Sequence, residues 1–126
     1  MSKKKILIVE DDSEIRESLQ DALEYEGYHV ISAIHGKNAL DILTGLSKDQ
    51  LPNLIVLDLM MPVMDGLQFM KTIEADYKGV LDLIPIIVMS AQVSLKIPGN
   101  KAPAAIFKKP ISLDEFLNRI QTVLNF

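Results

Sequence analysis

The chain has 126 residues, 48% hydrophobic and 24% charged, enough for one soluble globular domain spanning residues 1–126 and too few for two. It has no cysteine, which excludes disulfides and thiolate metal sites, and its formal net charge of -4 argues against nucleic acid as a direct partner. No apolar run approaches the roughly 20 residues of a membrane helix, and acids interrupt "MSKKKILIVE" too early for a signal peptide, so the expected location is the cytoplasm, without membrane insertion.

The first predicted strand is "ILIV" at 6–9, β-branched and without polar alternation, as strands buried on both faces read. Ile15, Leu19, Ala22 and Leu23 then form the stripe of an amphipathic helix, which Gly27 ends. "HVISA" at 29–33 is a weaker strand, followed by a helix over Gly36–Leu46 carrying Ala39, Leu40, Leu43 and Leu46. The run "LIVL" at 54–57 ends on Asp58, and Asp65-Gly66 reads as a turn. A further helical stripe follows in Leu67, Met70, Ile73 and Tyr77. "PIIVM" at 85–89 is the fourth strand and "AIF" at 105–107 a weaker fifth. Between Ser90 and Ile106, Pro98, Gly99 and Pro103 leave room only for a short or irregular helix. The last helix, with Leu113, Phe116, Leu117, Ile120 and Leu124, opens at Ser112 with Glu115 three residues on, a capping-box pattern. Alternation of this kind predicts an α/β fold, a parallel sheet with helices on both faces.

Such sheets bind ligands beyond the carboxyl ends of their strands. There the first strand offers Glu10, Asp11 and Asp12, the third Asp58, the fourth Ser90 and Ala91, and the fifth Lys108, Lys109 and Pro110. Asp12 reads as the cap of the first helix. Clustered carboxylates repel unless a cation neutralises them, and hard oxygen donors without His or Cys select Mg²⁺. Mg²⁺ takes one or two carboxylates and a phosphate oxygen, while a lysine and a hydroxyl suit a phosphoryl group. An aspartate is a known phosphoryl acceptor, so Asp58 is the candidate nucleophile. Of Lys108 and Lys109 only one can point inward, since neighbours on an extended chain face opposite ways. His29 and His35 share no motif with an acid-base partner and read as surface or satisfied polar residues.

The segments "ILIVEDD", "VLDLMMPVMDG", "IIVMSA" and "FKKPI" together resemble receiver domains of two-component response regulators over nearly the whole chain. The resemblance implies a doubly wound, flavodoxin-like (βα)5 fold with strand order 2-1-3-4-5. It implies Mg²⁺-dependent transfer of a phosphoryl group from a phosphohistidine, on a sensor histidine kinase or a histidine phosphotransfer protein, to Asp58. Asp11, Asp58 and the Met60 backbone carbonyl would bind Mg²⁺, with Glu10 acting through water. Arg16, five residues after Asp11, matches an arginine common in the family and fixes this assignment of the acidic pair. Ser90, Lys109 and the Ala91 backbone would hold the phosphoryl group, and Pro110 would follow a cis peptide bond. Met60 and Gln92 occupy positions that tune the lifetime of the phosphoryl group. The family often couples its hydroxyl to an aromatic on the fifth strand. Here that position is Ile106, so a different repacking of the loop after Ser90 is expected.

On this reading the chain is a signalling phosphoacceptor and not an enzyme with an external substrate. It would be a monomer or a weak phosphorylation-dependent dimer with an output partner of unknown kind. The alternative is the same module within a longer DNA-binding regulator or hybrid histidine kinase. A dehalogenase-type phosphatase would carry an acid at Met60, a flavin module would not place "EDD" beside a phosphate, and a degenerate receiver would lack some of these groups.

Overall fold

The aliphatic runs form strands because their side chains find apolar partners on both faces of a sheet. A computed structural model describes residues 3–61, 63–91 and 103–124. Its strands are β1 (Lys5–Val9), β2 (His29–Ala33), β3 (Leu54–Asp58), β4 (Ile86–Ser90) and β5 (Ala105–Lys108), all parallel, in the order β2-β1-β3-β4-β5. The helices are α1 (Ser13–Tyr25), α2 (Gly36–Gly45), α3 (Gly66–Asp76) and α4 (Leu113–Leu124). This is the flavodoxin-like order expected. Most of the segment predicted to hold a short or irregular helix between β4 and β5, residues 92–102, lies outside the described residues, as does Gln92.

Alternate residues of each strand feed opposite layers. Leu7, Val9, Ile55, Leu57, Ile86 and Val88 join Leu40 and Leu43 of α2 and Phe69, Met70 and Ile73 of α3. Ile6, Ile8, Leu54, Val56, Ile87 and Met89 join Leu19 and Leu23 of α1 and Phe116, Ile120 and Leu124 of α4. All of β3 and β4 is buried, which explains why their sequences show no polar alternation. The edge strand β5 alternates between half-buried and exposed positions.

Helix boundaries depart from the periodicity where capping decides. Glu26 caps α1 and Gly27 follows at φ +96°, a conformation glycine adopts without steric cost. Tyr77, expected inside the third helix, is its C-terminal cap. Asp65-Gly66 is more than a turn. The Asp65 carboxylate accepts the Gln68 N–H at 2.9 Å and caps α3, of which Gly66 is the first residue. His35 caps α2, its Nδ1 accepting the Asn38 N–H at 3.1 Å, while Asn38 Oδ1 accepts the Ile34 N–H at 2.9 Å. At the start of α4 the Ser112 carbonyl accepts the Phe116 N–H at 3.0 Å.

Candidate functional site

The register that pairs Val9 with Leu57 and Asp58 with Met89 brings the ends of β1, β3 and β4 to one edge of the sheet. Asp58 and Ser90 prove to be the last residues of their strands, each one residue beyond the end of its apolar run, and both are buried. Backbone bonds carry the ladder past the strand ends. Glu10 N–H donates to the Ala33 carbonyl, Leu59 N–H to Met89 and Lys109 N–H to Ser90, at 2.9–3.1 Å.

Lys109 reaches into this edge from the end of β5. Its Nζ lies 2.7 Å from Glu10 Oε1 and 3.2 Å from Asp58 Oδ2. Lys108 is exposed, as strand parity requires. The peptide between Lys109 and Pro110 is cis. Carboxylate oxygens of Glu10, Asp11 and Asp58 lie within 4.8 Å of one another, a set of hard oxygen donors that fits a small divalent cation such as Mg²⁺. Asp12 is not in this cluster; its Oδ1 accepts the N–H groups of Glu14 at 2.9 Å and Ile15 at 3.2 Å and caps α1. Asp12→Ala should therefore cost about 1 kcal/mol, read as a fall of roughly 3–5 °C in the thermal midpoint, with cation binding retained.

The two adjacent acids differ sharply. Glu10 is fully buried, whereas Asp11 is exposed. Loss of hydration on burial pushes the Glu10 carboxyl up to about 7, the nearby Asp58 adds to the rise, and the Lys109 ammonium opposes it. Burial also works against the charge on Lys109, but its bonds to Glu10 and Asp58 outweigh this and hold it above the usual lysine value. Asp12 N–H donates to Glu10 Oε2 at 3.2 Å, and Met60 N–H to Asp58 Oδ1 at 3.1 Å. Met60 itself is exposed.

The contacts of two residues went unread in the sequence. Arg16 Nη1 donates to the backbone carbonyl of Glu10 at 2.9 Å and, at 3.4 Å, to that of Asp11, bracing the acidic pair through its main chain. The spacing marks Arg16 but not what it touches. Gly66 packs so tightly on the end of β3 that a Cβ there would stand 2.6 Å from the Asp58 carbonyl oxygen and 2.7 Å from Leu59 Cα. Away from the carboxylates, Ile106 is half exposed on β5. Phe107 faces the other layer, its ring edge-to-face with Phe116 at 5.6 Å and 81°. No helix among the described residues is long and apolar enough to cross a membrane.

A family model described as the response regulator receiver domain matches residues 6–121. Among curated relatives, the response regulator MprA of Mycobacterium tuberculosis is 38% identical over 123 residues, covering 95% of this chain and 50% of the relative. The chain thus spans about half the length of the curated relatives it matches. Among solved structures, the receiver domain of the Francisella response regulator 1452 superposes with a TM-score of 0.80 at 28% identity, covering 96% of both chains. The response regulator TrrA of Thermotoga maritima, solved in complex with Mg²⁺ and BeF, gives a TM-score of 0.78 at 29% identity over 96% of this chain and 99% of that one.

Proposed function

Because the chain belongs to the response regulator receiver domain family of two-component signalling, we propose that it takes a phosphoryl group on Asp58 from a phosphohistidine and changes its partner binding in response. The observation that carries this reading is the ion-paired cluster at the sheet edge. Asp58 shares Lys109 with Glu10, and Asp11 stands beside them at the solvent face.

An Asp58 carboxylate oxygen attacks phosphorus, the P–N bond to the donor imidazole breaks, and the imidazole leaves with the electron pair and is protonated. The bonds the chain makes to Asp58 in the free state bear on that step. Met60 N–H engages Oδ1, while Lys109 lies against Oδ2. Lys109 carries the positive charge nearest the acceptor and would follow the charge onto the phosphoryl oxygens. Asp11, Asp58 and the Met60 carbonyl would hold Mg²⁺, with Glu10 contributing through water. Once bound, that ion supplies neutralising charge to the carboxylates and phosphoryl oxygens. The burial of Glu10 and its bond to Lys109 suit an indirect role for it. Ser90 and the Ala91 backbone would complete the phosphoryl contacts. The only reaction required of the chain is on itself, so it is a phosphoacceptor with no external substrate to turn over. The donor would be a sensor histidine kinase or a histidine phosphotransfer protein.

The chain's share of the curated relatives' length favours a second reading in which the same module is joined to an output domain. The position of the stop codon in the natural reading frame separates the two. The phosphoacceptor reading is tested by intact-protein mass after treatment with phosphoramidate and Mg²⁺. A gain of about 80 Da is expected, the mass of one phosphoryl group, abolished by Asp58→Asn and by EDTA. No gain, together with no beryllofluoride binding, would leave a receiver that works without phosphorylation.

A further inference from the structure

Among the described non-glycine residues, Val63 alone has a positive φ, +68°. This left-handed conformation is a true outlier for a β-branched side chain. Val63 is 77% exposed, so no burial of its side chain compensates. What holds it is the pinning of the described residues on either side of it in the loop between β3 and α3. Met60 N–H donates to Asp58 Oδ1 at 3.1 Å, and Gly66 N–H to the Leu59 carbonyl at 3.1 Å. The Met64 carbonyl accepts the Gly36 N–H of α2 at 3.1 Å, and Asp65 is fixed by capping α3. Gly36 itself is tight against the loop; a Cβ there would stand 2.8 Å from the Met64 carbonyl oxygen.

Strained backbone persists where surrounding contacts over-determine it. Two of these contacts are the bond to the phosphoacceptor carboxylate and the bond to α2. We propose that Val63 is a sprung positioning residue. Its left-handed backbone biases the β3–α3 loop toward leaving the pinned form, so that release of the Met60 N–H from Asp58 and of the Gly36 N–H from Met64 occurs as one exchange with a relaxed form in which Val63 returns to negative φ. The inference rests on the phosphoacceptor reading only for the importance of Asp58, since the exchange belongs to the metal-free, unphosphorylated chain.

The experiment is therefore run without metal or phosphoryl donor, and its failure leaves the phosphorylation test untouched. Backbone ¹⁵N relaxation dispersion is recorded on the full chain for wild type, Val63→Gly and Val63→Ala, with urea unfolding to establish that each is folded. In wild type the Met60 and Gly36 amides should share one exchange rate. Glycine, which is free of the Cβ penalty, should lower the minor population about 10-fold. Alanine keeps the Cβ but loses the β-branch, so its minor population should fall between those of wild type and glycine. The proposal fails if the wild-type profiles are flat at both amides or if Met60 and Gly36 exchange at different rates. It also fails if glycine leaves the minor population unchanged, or if alanine lowers it as much as glycine does.

Discussion

Gly66→Ala is expected to destabilise the protein by about 2–4 kcal/mol and to slow phosphorylation of Asp58. At an open position in a helix the same change would stabilise by about 1 kcal/mol, because alanine is the better helix former. The sign reverses here because the new methyl group would stand 2.6 Å from the Asp58 carbonyl oxygen and 2.7 Å from Leu59 Cα. Both are main-chain atoms and neither can swing aside. Relief requires either α3 to withdraw or the end of β3 to bend, and the second displaces the Asp58 carboxylate. Urea unfolding measures the first effect and the rate of mass gain with phosphoramidate the second. A variant as stable as wild type would show that α3 can retreat from the strand at little cost.

The second large effect concerns Glu10 and pH. The folded chain keeps the Glu10 proton up to about 7, whereas the unfolded chain releases it near 4.5. Between these values the folded state binds the extra proton, so stability falls as pH rises. This contribution is fully present below about 4.5 and is lost by the time pH has passed about 7. At 1.36 kcal/mol per pKa unit the loss is on the order of 3 kcal/mol, and on the order of 2 if Lys109 relaxes toward the ionised carboxylate. Glu10→Gln, measured in EDTA, should remove this slope. The variant should gain on wild type by a few kcal/mol between pH 5 and pH 8 while still accepting a bond from Lys109 through its amide oxygen. Parallel stability curves across that range would mean that Lys109 fully compensates the buried charge.

The strands and the carboxylate that ends β3 were legible because their physics is written locally. Aliphatic runs buried on both faces show no alternation, and a carboxylate ending such a run is conspicuous. Strand parity required that only one of Lys108 and Lys109 point inward, and it was the resemblance to receiver domains that picked Lys109. Depth was not legible. Glu10 and Asp11 look alike in sequence, yet the last residue of β1 points its successor Glu10 under the sheet edge while Asp11 enters solvent. Capping by His35 was hidden because imidazole is not among the usual capping side chains, and acceptance at Nδ1 depends on which nitrogen carries the proton. Asp65-Gly66 has the composition of a turn, and only the approach of α3 to β3 shows why a larger side chain is excluded. The strain at Val63 is likewise a product of distant contacts, from α2 and Asp58, that no local pattern encodes.

The shortness of β5 bears on how copies of the chain meet. An edge strand offers unpaired N–H and C=O groups on which another sheet can grow. Here that margin is four residues long, ends on the exposed Lys108, and lies between Pro103 and Pro110, neither of which has an N–H to donate. A second molecule adding a strand would find few partners before meeting a lysine and a proline. On this flank the described residues resist runaway cross-molecular ladders of the kind that seed fibrils, which leaves β2 as the one sheet edge among them open to such growth.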